Sequence, residues 1–291
     1  MTSNHTGPII AERDGLKVIQ CPACGYAHLD PLPDPVALDA YYASTFWAEK
    51  GKGWLARYEA EAEWVDAKNG DWITAIEQHT LGRTLLDVGA GYGFLIEQAT
   101  ARGWTATGID PSTEASEYAR AHGLDVRTET WEEVWPGGRY DAITAFWLLE
   151  HLPNALDFLR FCRRHLYGSG TLTLAVPLEF TAEMEDANPL ASVYNWFIHG
   201  THCNYFTAAS LGNLLGRAGF RVVESMTTYP MAQWITLGDD YTADAAVGDR
   251  LHAVVRDIEM RLSRETRMSI ARQRALQNVG RDLVVVAKVE D

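Results

Sequence analysis

The chain has 291 residues, 47% hydrophobic and 22% charged, with a formal net charge of −14. That length accommodates one large α/β domain with additions, and the ordinary composition excludes global disorder. The negative field opposes nucleic acid and anionic membranes as main partners, and no apolar run is long enough to span a bilayer.

The N-terminal segment "MTSNHTGPIIAERDG" lacks the charged-then-apolar order of a signal peptide, and 4 cysteines without a dense framework fit a reducing cytoplasm. Residues 1–80 form an extension that reads differently from the rest. Cys21 and Cys24, in "CPACG", have the C-x-x-C spacing of a zinc knuckle. A closed site needs four ligands, and no second C-x-x-C exists. His5 and His28 are the nearby helpers, while Cys162 and Cys203 fall inside the main domain. The expectation is a β-hairpin without metal, and bound zinc is the alternative. After the Pro-rich loop "DPLPDP", apolar and aromatic residues over 37–76 recur at three- and four-residue intervals, broken in two by Gly51 and Gly53. These helices either pack an aromatic face on the main domain or form a lid, with Tyr41, Tyr42, Phe46 and Trp47 as wall residues.

From Arg83 the periods alternate. "TLLDV" reads as a strand, "GFLIEQATARG" as a helix, "TATGID" as a strand, "STEASEYARAHG" as a helix and "DVRTE" as a short strand. "YDAITAF" is a strand, "ALDFLRFCRRHLY" a helix and "GTLTLAVP" a strand, followed by helix "TAASLGNLLGRAG" and strand "FRVVES". Apolar strands alternating with helices predict an α/β fold with a doubly wound, mostly parallel sheet. The core spans 81–229, a helical insertion expected to cap the substrate spans 230–280, and 281–291 returns as a last strand, "DLVVVAKV". Within the insertion Leu251, Val254, Val255, Ile258 and Leu262 follow a helical period, and its arginines are expected on a solvated face, some paired with Asp257, Glu259 and Glu265.

In an open α/β sheet, ligands sit at the carboxyl ends of strands. There "LLDVGAGYGF" places Gly89, Gly91 and Gly93 at every second position, with Phe94 where a dinucleotide fingerprint needs its third glycine. Asp87 precedes the turn, where a carboxylate repels a pyrophosphate and attracts a cation. Asp110 ends the next strand, about twenty residues on, where an acid holds ribose hydroxyls. Together these favour a cationic nucleoside without phosphate, a description that S-adenosylmethionine meets.

"LLDVGAGYG", "GIDPS", "LDVRTETWEEV", "YDAITAFWLLEHL" and "GTLTLAVP" resemble, in order and spacing, class I S-adenosylmethionine-dependent methyltransferases. "EHL" and "HCNYFTAASLGNLLGRAGF" look like the branch with ubiquinone-type O-methyltransferases and natural-product enzymes. The resemblance implies a Rossmann-like sheet of seven strands, the last antiparallel; the 230–280 insertion departs from it. It implies that Gly89, Gly91 and Gly93 pass under the methionine part of the cofactor. Asp87 would orient that turn and the amino group, Asp110 would take the ribose hydroxyls, and Pro111 would pack beside the adenine. Thr130 and Trp131 stand where the family contacts the adenine amino group; the family's acid is absent from position 130, and Trp131 is either that neighbour or a packing residue. Phe146 would lie near the sulfonium.

Methyl transfer to a hydroxyl benefits from a base, and histidine titrates in the right range. His202 and His151 are the candidates, each with a hydrogen-bonded structural histidine as its alternative reading. The expected activity is methylation of a small molecule, at oxygen first, with nitrogen or carbon acceptors open. The expected partners are that acceptor, no nucleic acid and no membrane, with a homodimer left open. The rivals are a nicotinamide oxidoreductase, a catalytically silent cofactor-binding partner and a protein side-chain methyltransferase.

Overall fold

A computed structural model describes residues 5–133 and 138–290. The chain opens with strands β1 (Ile9–Arg13), β2 (Leu16–Cys21) and β3 (Tyr26–Leu29), then α1 (Pro35–Ala40), two wide helical turns over Tyr41–Thr45 and Trp47–Gly51, and α2 (Lys52–His79). The core runs β4 (Thr84–Val88), α3 (Phe94–Ala101), β5 (Thr105–Asp110), α4 (Thr113–Ala121), β6 (Val126–Thr128), β7 (Tyr140–Phe146), α5 (Ala155–His165) and β8 (Leu166–Pro177). After α6 (Ala182–Ala187) and β9 (Asn204–Tyr205) come α7 (Ala208–Arg217), β10 (Phe220–Thr227), α8 (Ala232–Thr236), α9 (Ala245–Met260), α10 (Arg264–Leu276) and β11 (Asp282–Val289).

Seven strands form one sheet in the order β10-β11-β8-β7-β4-β5-β6. β11 is antiparallel to β10 and β8, and the ladders from β8 to β6 are parallel. The order reverses beside β4, so the end of β4 is the switch point where such sheets bind ligands. Alternation along the strands sorts the core into two layers. Leu86, Ile143, Leu172, Leu174, Val176 and Val285 face α5 and α7. Leu85 and Ala142 face α2 and α3, while Ala175, Val284 and Val286 meet Trp72 of α2 and Met268 of α10.

A second, four-stranded antiparallel sheet, β1-β2-β3-β9, extends the expected hairpin. Its last strand comes from the segment after β8, with His28 opposite Asn204 and Ala27 opposite Tyr205. Tyr26 and Phe206 pack ring to ring at 5.1 Å, which fastens this sheet to the α5/α7 side of the core.

Two expectations change. The long N-terminal helix does not break at Gly51 and Gly53; its non-helical residue is Glu61 (φ −121°, ψ 15°). At the kink Glu61 meets His252 Nε2 at 2.9 Å and Arg256 Nη1 at 3.3 Å from α9, and Arg57 of its own helix at 3.5 Å. The arginines of the insertion also find most partners elsewhere. Arg267 binds Asp71 through two hydrogen bonds of 2.8 and 2.9 Å, Arg272 binds Glu224 at 2.8 Å, and Arg256 pairs with Asp257 at 3.7 Å. Leu251 and Val255 are buried while Val254 and Ile258 are exposed, because α9 meets α2 along the narrow line of His252, Arg256 and Glu259.

Candidate active site

At the switch point, β4 leaves the sheet through Gly89, Gly91 and Gly93, at φ +77°, +53° and +81°. Only glycine enters that region without strain. Gly89 and Ala90 donate their N–H groups to the Ile109 carbonyl at 2.8 and 3.0 Å. The Asp110 carboxylate accepts from Gly91 N at 2.8 Å and Ser112 N at 2.9 Å, one bond per oxygen, so it ties the end of β5 to the glycine turn. Each oxygen keeps a second lone-pair direction for a hydroxyl donor.

Both acids are buried. Burial pushes Asp110 up to about 6, against the pull of the Ser112 and Gly91 donors. Burial likewise lifts Asp87 to about 7; the Thr144 hydroxyl, donating at 2.6 Å, opposes this, and the charge of Asp110 adds to it. Two carboxyl groups held this far above the usual range gain most from a nearby positive charge.

The residues expected beside the adenine follow β6. Glu129 N donates to the Asp110 carbonyl at 3.2 Å, which sets this segment beside Asp110, and half-buried Pro111 follows Asp110 directly. Thr130 N donates to Glu133 Oε2 at 2.8 Å in a tight turn. Trp131 packs against Phe158 and Phe161 of α5, with ring centroids 5.5 and 5.7 Å away, the packing alternative. Phe146 ends β7 with its ring 5.1 Å from Trp72 on the opposite face. Above the glycine turn lies Trp47, so close that a Cβ on Gly91 would stand 2.9 Å from its ring.

A polar nest occupies the neighbouring strand ends. His151 closes the short turn Leu149–His151, and its Nδ1 lies 2.6 Å from the Thr201 carbonyl and 2.8 Å from the Tyr42 hydroxyl. A carbonyl only accepts, which assigns the proton to Nδ1 and leaves Nε2 as the basic nitrogen, 3.8 Å from Glu150 Oε1. The His202 ring lies 4.8 Å from His151 and 3.7 Å from His199. His202 Nδ1 has no hydrogen-bond partner and lies 3.6 Å from Glu179 Oε1. Burial and the neighbouring His202 lower His151 to about 3. Burial lowers His202 to about 4, and burial with His202 beside it lowers His199 to about 4. Glu150 and Glu179 are raised well above the carboxylate range, again by burial first. Burial thus favours the uncharged form of each of these groups, and both Glu150 oxygens and Glu179 Oε2 lack hydrogen-bond partners among the described residues. One ligating atom each from Glu150, His151 and His202 falls within 4.8 Å of the others, so the nest also has donors for a cation.

The comparisons with known proteins agree with this geometry. A family profile described as a methyltransferase domain matches residues 61–225. The ubiquinone biosynthesis O-methyltransferase of Marinobacter nauticus is 31% identical over 177 residues, covering 55% of this chain and 73% of that protein. The chain belongs to the class I S-adenosylmethionine-dependent methyltransferases. The Actinobacillus pleuropneumoniae protein of the same name is 34% identical over 114 residues, 35% of this chain and 49% of that one. Magnesium protoporphyrin IX methyltransferase from Synechocystis PCC 6803, solved with S-adenosylhomocysteine, shares the fold at a TM-score of 0.55 and 14% identity, over 89% of this chain and 100% of that one. The plantazolicin methyltransferase BpumL, also with S-adenosylhomocysteine, shares it at 0.55 and 14%, over 88% and 95%.

The methyltransferase has groups that fit its cofactor: a glycine turn at positive φ, a buried acid with spare acceptor positions, and a second acid beside it. Sequence reasoning placed these together and named both histidines. It missed Glu179, whose signal was a lone acid two residues past the proline ending β8, and gave Tyr42 a role as wall rather than as partner of His151.

Proposed function

We propose that this methyltransferase acts on an oxygen of a small-molecule acceptor, and that His202, backed by His151, receives the acceptor's proton. The observation that carries the reading is the buried nest, in which an imidazole nitrogen without a hydrogen-bond partner stands 3.6 Å from the carboxyl of Glu179. When bound, the cofactor supplies a methyl group already activated on a sulfonium. What the chain must add is alignment, exclusion of water and a place for the proton. Tyr42, Phe46 and Trp47 form an aromatic cover, with Tyr42 on His151 and Trp47 on the glycine turn. As the acceptor oxygen takes the methyl group, its proton passes to the imidazole, and the carboxyl of Glu179 stabilises the resulting cation. The names of the curated relatives, O-methyltransferases, point the same way.

The test is turnover on a panel of hydroxyl, amine and carbon acceptors, read by product mass, with His202→Gln beside the natural chain. The expected result is methylation of a hydroxyl compound, with kcat lowered about 10²–10⁴-fold in the variant and cofactor affinity unchanged. Equal turnover by the variant would remove His202 from the proton step, and amine methylation alone would sink the oxygen assignment. A second reading rests on the Glu150, His151 and His202 donors: a divalent cation polarises the acceptor oxygen. Activity that chelation abolishes and magnesium restores would select it. Saturable cofactor binding with no turnover on any acceptor would favour a silent partner protein.

A further inference from the structure

The cysteine pair lies outside the methyl-transfer chemistry, and the fold supplies it with partners. Cys21 ends β2, and the turn to β3 is closed by Gly25, at φ +81°, whose N–H donates to the Cys21 carbonyl at 2.8 Å. His5 Nδ1 lies 3.3 Å from Cys24 Sγ and 3.8 Å from Cys21 Sγ. The His28 ring stands edge-on to His5 with centroids 4.8 Å apart. One ligating atom from each of the four residues falls within 4.8 Å of the other three. Donors around a tetrahedral zinc stand roughly 3.3–3.8 Å apart, given Zn–S and Zn–N distances near 2.3 and 2.0–2.1 Å.

We propose that His5, Cys21, Cys24 and His28 form a structural Cys₂His₂ zinc site that pins the N-terminal segment to the β2–β3 hairpin. His28 is the independent pointer. Its side chain is at 0% exposure, its Nδ1–H is committed to the Leu29 carbonyl at 2.7 Å, and its Nε2 has no hydrogen-bond partner. A backbone carbonyl on one ring nitrogen is how proteins fix the tautomer of an imidazole that binds metal through the other. A disulfide between Cys21 and Cys24 would use both sulfurs and still leave this nitrogen buried without a partner. Two thiolates and two neutral imidazoles also cancel the charge of Zn²⁺, which suits a site where Cys21 and His28 are fully buried. Sulfur and imidazole donors select zinc over magnesium or calcium. Binding forms two Zn–S and two Zn–N bonds and releases the thiol protons to solvent, with no electron transfer. Arg217 of α7 donates to the Cys24 carbonyl, and β3 pairs with β9, so the site braces the segment that carries Cys203 to Phe206.

The site is tested on the untagged full chain, purified under reducing conditions, offered excess zinc and desalted. Elemental analysis is expected to find one zinc per chain, and X-ray absorption at the zinc edge a shell of two sulfurs and two nitrogens. Cys24→Ser and His28→Ala are expected to lower zinc affinity at least about 100-fold, and His5→Ala at least about tenfold. Removing the metal is expected to speed amide exchange in β2, β3 and β9 while β4 and β7 stay protected. Should the variants fail to fold, the absorption spectrum of the natural chain decides alone. A natural chain that retains no zinc, a shell of nitrogen and oxygen only, or a mass lower by two hydrogens with Cys21 and Cys24 linked would each overturn the proposal. None of these readouts depends on the acceptor or on the role of His202.

Discussion

Asp87 and Asp110 show how a single carboxyl group is prepared for a charged ligand. Both are buried beside the glycine turn where the cofactor is expected, and burial raises both, to about 7 and about 6. A proton and a bound cation compete for the same charge, so cofactor affinity should fall as pH falls through that range. With one group near 7, affinity for S-adenosylmethionine is expected to drop roughly tenfold between pH 8 and pH 6. S-adenosylhomocysteine, which lacks the sulfonium charge, should show a shallower slope, and Asp110→Ala should weaken both ligands about 10–100-fold through loss of charged hydrogen bonds. Calorimetry at the two pH values checks this; equal, flat profiles for both ligands would remove the carboxyl groups from cofactor recognition. These acids were legible in the sequence because their meaning is local: an aspartate, a glycine turn and a second acid at fixed spacing. Glu179 was not, since its partner His202 lies 23 residues away (202 − 179) and no spacing rule connects them.

The elements of the central sheet were legible for a related reason. Strand and helix periods are properties of short windows, and "TLLDV", "TATGID", "YDAITAF" and "DLVVVAKV" coincide with β4, β5, β7 and β11. What the windows could not hold was how the insertion attaches. Asp71 of α2 receives Arg267 at 2.8 and 2.9 Å, with side-chain exposures of 10% and 14%, and Arg264 at 3.3 Å. Removing one member of a shielded pair strands the other, whereas replacing the cation by an apolar chain of similar length does less harm. Asp71→Ala is therefore expected to cost about 2–4 kcal/mol, and Arg267→Met distinctly less. Urea unfolding of the two variants measures the asymmetry. Equal, small losses would mean that the pair is a surface contact and that α10 is held by Met268 and its apolar neighbours alone.

At the scale of the whole molecule, the expected hairpin is part of a four-stranded sheet whose last strand was not legible, because β9 is two residues long and pairs with a strand far back in the chain. That sheet and the core together bury two sets of ionisable groups, and their effects on stability oppose each other. His151, His199 and His202, lowered to about 3, 4 and 4, bind fewer protons folded than unfolded. Their contribution is complete above about pH 6.5 and is lost as pH falls below it, by up to about 1.4 kcal/mol per pH unit for each histidine. Asp87, Asp110, Glu150 and Glu179 have raised values, so the folded chain keeps protons that the unfolded chain has already released. Their contribution is complete below about pH 4 and is lost as pH rises toward those values. The two sets oppose each other wherever both titrate. Glu150→Gln isolates one carboxyl group from the rest of the charge. Its stability relative to the natural chain is expected to improve as pH rises above the ordinary carboxylate range, as read from urea unfolding between pH 5.5 and pH 8.5. A difference that stays constant across that range would show Glu150 ionised in the folded chain, with the charge held by a partner in the nest.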